Sequence, residues 1–197
     1  MRYGITGGIG SGKSFVCNLL GQAGYPIFNC DAEARRIVRT DPAVRETLKT
    51  LVGQQLYDTS GSLRKTVLAD YIRRSPAHAA RVNAIVHPRV RDIYKEWVNK
   101  WEEHMPTGFP SATFMECALL FEAHFEDLVD KVVAVYAPEE VRIRRVMTRD
   151  NASPEQVKAW MRLQMDEEEK RRRADIIIRN DSTTPPDLSP LLTLIRN

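Results

Sequence analysis

Residues 2–20 read RYGITGGIGSGKSFVCNLL, which predicts a short apolar strand, a glycine-rich turn and the first turns of a helix. Within this stretch Gly7 to Ser14 fit the pattern G-x-x-x-x-G-K-[ST]. The residue types follow from what such a loop has to hold. Glycines let the backbone curl until successive N–H groups point inward at phosphate oxygens, at positions a Cβ would obstruct. The helix starting near Lys13 adds the positive end of its dipole. Lys13 is expected to reach the β- and γ-phosphates of a nucleotide, and the Ser14 hydroxyl to ligate magnesium. The candidate nucleotide-binding residues are therefore Gly8, Gly10, Ser11, Gly12, Lys13, Ser14 and Phe15. The strand before the motif and the helix after it separate it from a chance glycine-rich turn. Phosphate binding follows; kinase, ATPase and GTPase all remain open.

The alternation of strand and helix continues along the chain. Residues 25–30 (YPIFNC) predict a second strand running into Asp31, with a helix after it through Val38. Thr40 or Asp41 before Pro42 marks the next helix start, and residues 57–62 (YDTSGS) a turn. Residues 63–104 read as helical, with a start at Ser75-Pro76 and a break at His87-Pro88. Val90, Ile93, Tyr94, Trp97, Val98 and Trp101 recur there at helical spacing, as a core stripe does. MPTGFPS at 105–111 reads as a linker, and residues 112–120 and 131–136 as buried strands of parallel type. Pro138 opens a helix, and Ser153-Pro154-Glu155-Gln156 has capping-box spacing, leading a long charged helix to about Arg173. ADIIIRN at 174–180 predicts the last strand, before a Pro-containing turn and a short helix. The expected fold is α/β, a mostly parallel sheet flanked by helices.

Composition narrows the class. A chain of 197 residues suits one domain with inserted subdomains. No apolar stretch approaches the roughly 18–20 residues that cross a membrane, and the N-terminus lacks the zones of a secretory signal, so a cytoplasmic protein is expected. The three cysteines, Cys17, Cys30 and Cys117, lie far apart in apolar contexts, which suits a reducing compartment and offers no zinc spacing. The net charge of +3 is concentrated in arginines at 142–149 and 171–173, the second group following an acidic run. That distribution gives no uniformly basic face, and neither a nucleic-acid nor a membrane partner is expected.

In a parallel sheet, ligands gather at the carboxyl ends of the strands. Asp31, just past the second strand, is expected to face the phosphates. It would orient an acceptor hydroxyl and take its proton, or hold magnesium through water, or else cap the helix that follows; position alone leaves these open. Glu116 is a candidate for the outer shell of the metal. Arg142, Arg145 and Arg149 stand at i, i+3 and i+7, on one helical face. Closing over a moving phosphoryl group, they would stabilise its charge and exclude water, so Arg145 and Arg149 join Lys13 and Asp31 as catalytic candidates. DEEEKRRR at 166–173 reads as a solvated face. Asp58-Thr59-Ser60-Gly61 has the D-x-x-G form of GTPases but reads as a turn, and Asn99-Lys100-Trp101-Glu102 falls one residue short of N-K-x-D. His87 before Pro88 reads as a helix terminator, and His78, His104 and His124 show no ligand spacing.

Several stretches taken in order resemble one family, dephospho-coenzyme A kinase. They are GITGGIGSGKS at the start, Asp31-Ala32-Glu33-Ala34-Arg35, Val82-Asn83 through His87-Pro88, and Ala118-Leu119-Leu120-Phe121-Glu122. Arg145 to Asp150 and Gln164 ahead of Ala174–Asn180 complete the set. The loop alone is nonspecific, whereas the ordered set covers nearly the whole chain. The resemblance implies a fold like that of P-loop nucleoside triphosphate hydrolases. It implies transfer of the ATP γ-phosphoryl group, with Mg2+, to the ribose 3′-hydroxyl of dephospho-coenzyme A. Three parts are implied: a nucleotide core at about 1–58, 106–140 and 173–197, a helical acceptor-binding region at about 59–105, and a lid at about 141–172. On this reading Asp31 is the base, Asn180 lies near the adenine, and Asp31, Lys65, His87 and Glu122 line the acceptor side. The chain departs from the family at Asn29, where an acid is usual, at Ala118 in place of proline, and at Arg64-Lys65, where one arginine is usual. A kinase of another small nucleoside or nucleotide shares the loop, the aspartate and an arginine lid, and is the alternative.

Overall fold

The computed structural model describes residues 1–104, 112–181 and 185–196. It divides into two units, one formed by Met1–Asn29 with Met105–Asn197 and the other by Cys30–His104.

The first unit is built on a sheet of β1 (Arg2–Thr6), β2 (Ile27–Asn29), β3 (Thr113–Glu116), β4 (Lys131–Tyr136) and β5 (Ile176–Arg179). Its order is β2-β3-β1-β4-β5, and every pairing is parallel. Burial along the strands follows from that order. Tyr3, Ile5, Val133 and Val135 are fully buried in the central strands, as expected where helices cover both faces. Edge strand β5 alternates, with Ile176 and Ile178 buried and Ile177 and Arg179 exposed. Val16, Cys17 and Leu20 of α1 (Lys13–Gln22) join the same core. Because β1 has a neighbour on each side, the loop leaving it opens at the carboxyl edge of the sheet, where ligands gather. The strand expected over 112–120 is shortened to Thr113–Glu116, and that over 25–30 to Ile27–Asn29.

Three further helices of this unit are α6 (Glu139–Asp150), α7 (Pro154–Met161) and α8 (Glu167–Arg173), and α9 (Ser189–Arg196) follows β5. The Ser153–Gln156 capping box forms in full. The single long helix expected from there to Arg173 is instead two. Asp166 turns its carboxylate onto the backbone N–H groups of Glu168 and Glu169, which starts a new helix rather than continuing the old one. In α8 the acids fill the first turn and the bases the last, matching both poles of the helix dipole. The reading of 166–173 as a solvated face is corrected too, since Glu167 and Lys170 are buried.

The second unit is helical: α2 (Cys30–Thr40), α3 (Pro42–Val52), α4 (Lys65–Arg73) and α5 (Pro76–His104). Asp41 caps α3, accepting from the N–H of Val44, and its other oxygen receives Arg89 at 2.9 Å. The turn at 57–62 is pinned by Asp58, which accepts from the N–H groups of Ser60 and Ser62, so the D-x-x-G there is an Asx-type turn. Asn99 to Glu102 lies inside α5. The break expected at His87-Pro88 does not occur, and α5 runs through Pro88. Proline costs about 3 kcal/mol inside a helix. Val82, Val86, Val90, Tyr94 and Val98 form a buried stripe on both sides of it, each side chain worth roughly 1.5–3 kcal/mol on burial, and the stripe outweighs the proline. The linker read at 105–111 lies outside the described residues.

Candidate active site

The phosphate loop is held at its C-terminal end by one carboxylate. Glu116 is the last residue of β3, in register with Asn29 of β2 on one side and Ile5 of β1 on the other. That register sets its side chain beside the start of α1. Oε1 accepts from Lys13 Nζ at 2.8 Å and from Ser14 Oγ at 2.6 Å, and Oε2 accepts from Asn29 Nδ2 at 2.6 Å. Burial works to raise the Glu116 pKa, but the charge of Lys13 and the three hydrogen bonds outweigh it and hold the carboxyl below its ordinary value. Asn29, the departure from the family pattern, is thus a donor to the neighbouring acid, where a second carboxylate would meet like charge.

The middle of the loop is fixed through its carbonyls. Asn180, buried just past β5, donates to Ser11 O at 2.8 Å. Arg145 reaches Gly10 O and Ser11 O at 3.4 and 3.3 Å. Gly12 has φ of 88°, a left-handed conformation that favours glycine, and a Cβ there would also collide with the Asn180 amide. Ser11 is buried and takes part in these contacts through its carbonyl. Phe15 is 47% exposed on α1.

The N-terminal end is held from the segment joining α7 to α8. The N–H of Gly8 donates to Glu167 Oε2 at 3.0 Å, and that of Ile9 to Gln164 Oε1 at 2.9 Å. Arg142 on α6 faces the same Glu167 oxygen at 3.4 Å, both side chains being about nine-tenths buried. Burial raises the Glu167 pKa, and Arg142, Lys170 and the Gly8 N–H offset this only in part. A cavity of about 440 Å³ lies alongside, walled by Gly8, Arg142, Lys158, Met161, Gln164 and Glu167 among others. Glu122, expected on the acceptor side, accepts from the Met165 N–H at 2.7 Å and pairs with the fully buried Lys170 at 3.1 Å. Arg149 shares the Arg142 and Arg145 side of α6 by sequence spacing, yet it pairs with the adjacent Asp150 and is 61% exposed.

The remaining candidates belong to the helical unit. Asp31 lies in the first turn of α2, which begins one residue earlier at Cys30. It is therefore inside the helix, and the capping alternative loses its geometry. His87, within α5, has its pKa lowered by burial, with the charge of Asp31 working the other way. Arg64 is the N-cap residue and Lys65 the first residue of α4, with no side-chain cap bond. Two cations at the positive pole of a helix are unfavourable, an arrangement that an anionic ligand offsets. The residues that sequence reasoning left without a role, Gln164, Glu167 and Lys170, had as their only signal the glutamine ahead of the last strand and a uniformly charged run. Among the described residues no group of three or more His, Cys, Asp or Glu side chains is arranged to hold a metal, and no helix is long and apolar enough to cross a membrane.

The family model described as dephospho-CoA kinase matches residues 1–186. A dephospho-CoA kinase of Bacteroides fragilis is 43% identical over 197 residues, covering 99% of this chain and 93% of the relative. A crystal structure of a Thermus thermophilus protein superposes with a TM-score of 0.81 at 37% identity, covering 100% of this chain and 96% of that one. A dephospho-CoA kinase from Campylobacter jejuni has a TM-score of 0.66 at 26% identity, with 92% and 89% covered. The chain belongs to the dephospho-CoA kinase family.

Proposed function

We propose that this member of the family uses ATP to phosphorylate the ribose 3′-hydroxyl of dephospho-coenzyme A, giving coenzyme A and ADP. The observation that carries the reading is the Lys13–Ser14–Glu116 cluster at the end of the phosphate loop, in a chain that matches the family over nearly its whole length. In the reaction the 3′-oxygen forms a bond to the γ-phosphorus, the bond from that phosphorus to the β,γ-bridging oxygen breaks, and its electron pair leaves with ADP. Lys13 neutralises charge on the β- and γ-phosphates, and the loop N–H groups cradle them. Asp31 takes the hydroxyl proton. Its support is its place as an acid in the first turn of α2, directly after β2. Arg145, already on the loop, and Arg149 meet the transferring phosphoryl group from the lid at about 141–172. Arg64 or Lys65 and His87, in the helical region at about 59–105, contact the acceptor, and Glu122 is the remaining acceptor-side candidate, bonded to the Met165 N–H.

The oxygen donors Ser14 and Glu116 fit magnesium, a hard cation. When bound, it would neutralise charge on the phosphates. Cys17, Cys30 and Cys117, buried and not joined in disulfides, support a reducing, cytoplasmic setting.

An ADP-release assay over a panel of acceptors tests the reading. ADP should appear only with dephospho-coenzyme A, and the product should carry a 3′-phosphate. Turnover of a nucleoside with dephospho-coenzyme A inert would replace this reading by the alternative. Asp31→Asn should lower turnover by roughly 10²–10⁴-fold, the range for a positioned general base. Full activity in that variant would remove Asp31 from the role.

A further inference from the structure

We infer that Glu167, with Gln164, is a positioning residue for ATP, holding the leading half of the phosphate loop in its binding conformation from the α7–α8 junction. The inference rests on the proposed use of ATP.

The loop has two sets of backbone donors. Those nearer α1 lie on the side of Lys13 and Ser14, the residues proposed to hold the phosphates. The N–H groups of Gly8 and Ile9 are already committed to Glu167 Oε2 and Gln164 Oε1, at 3.0 and 2.9 Å. Such a loop needs its N–H groups aimed inward before phosphate arrives; otherwise ordering it is subtracted from the binding energy. Two fixed bonds at its leading edge supply that order.

Position 8 supports the assignment. Gly8 has no positive φ, so backbone conformation does not explain the glycine. A Cβ there would collide with the Glu167 carboxylate and the Arg142 guanidinium. The glycine therefore admits the close approach of this pair to the backbone. Arg142 lies within α6 and Glu167 in the first turn of α8, so the pair joins two lid helices at the point where they meet the loop. With a cavity of about 440 Å³ beside it, polar bonds hold the junction to the loop. Lys170, one turn along α8, anchors the same helix through Ala118 O at 2.9 Å and Glu122.

The test is ATP binding by calorimetry without acceptor, on the full chain, for Glu167→Ala, Glu167→Gln and Gln164→Ala. Glu167→Ala should weaken ATP binding by about 10–100-fold, the equivalent of one lost charge-assisted hydrogen bond. Glu167→Gln keeps an acceptor for the Gly8 N–H and should recover most of that loss. Gln164→Ala, on a part-exposed junction, should weaken binding by about five- to tenfold. In turnover assays the effect should fall on KM for ATP, with kcat at saturation changed less than about threefold and KM for the acceptor unmoved. ATP binding as tight as or tighter than wild type in Glu167→Ala would overturn the inference, the tighter result meaning that the carboxylate competes with phosphate. Loss confined to kcat would also overturn it. If Glu167→Ala fails to fold, Glu167→Gln and Gln164→Ala decide by the same criteria. A wild-type chain that does not bind ATP overturns the functional reading itself, and this inference with it.

Discussion

Glu116 and Glu167 are both buried carboxylates bonded to the same loop, one at each end, and burial pushes both pKa values up. Glu116 nevertheless ends below its ordinary value and Glu167 above. The difference lies in their donors. Glu116 receives an ammonium, a hydroxyl and an amide, all within 2.8 Å. Glu167 receives one backbone N–H at 3.0 Å and faces a guanidinium at 3.4 Å, and its Oε1 has no hydrogen-bond partner among the described residues. Burial alone therefore does not set the charge of an internal acid; the count and closeness of donors to the charged form does. The Glu116 end is a buried ion pair with Lys13, beside the proposed phosphate site. The Glu167 end is a clamp less committed to its charge.

The largest expected effect comes from removing the cation that distinguishes the two ends. Lys13→Ala should lower turnover by at least about 10²–10³-fold, since a donor aimed at developing charge is lost. It also leaves Glu116 buried without its cation, so unfolding stability should fall by up to about 3–5 kcal/mol. Activity near wild type would remove the Lys13 end from the mechanism.

The second test moves to the arginines of α6, which differ in the same manner. Arg145 touches loop carbonyls, whereas Arg149 is satisfied by an exposed neighbour. Arg145→Ala should reduce kcat by about 10–100-fold with ATP affinity less affected. Arg149→Ala should cost less than Arg145→Ala, because its arginine must first leave Asp150 to take part. Equal losses would mean that the proposed lid closes far enough to equalise the two side chains.

The smallest effects are in the pH dependence of stability, where the two acids have opposite signs. The folded pKa of Glu116 lies below its ordinary 4.5. Its contribution is therefore present above that value and lost as pH falls through the folded pKa. The folded pKa of Glu167 lies above 4.5. The folded chain then holds the proton more tightly, and stability declines as pH rises from the ordinary value through the folded one. Urea midpoints from about pH 3 to pH 7 read this directly. Glu116→Gln should flatten the loss on the acid side, and Glu167→Gln the loss on the rising side. The same slope change in both variants would show that the two carboxylates do not differ in charge.

Much of the architecture was legible in residue order, because the rules that specify it act over a few residues. The loop from Gly7 to Ser14, the Asp41 and Ser153 caps and the apolar runs of β1 and β4 each depend on near neighbours. The turn that hides a D-x-x-G pattern at 58–61 was legible for the same reason. Pro88 was misread because its local penalty is visible in the sequence, while the buried stripe that overrides it has value only once α5 is packed. DEEEKRRR was misread because nothing in an unbroken charged run says which acid turns inward.

What residue order established is the chemistry available: a phosphate loop, a lone Asp31 after the second strand, and an arginine face on α6. Folding alone chose the partners. Lys13 and Glu116 are 103 residues apart, and Gly8 and Glu167 are 159 apart. Strand register brings the first pair together, and the interruption between α7 and α8 the second. Local propensity carries no information about a partner so distant. A carboxylate meets its donor there only because the packed sheet and helices leave it no solvent to prefer.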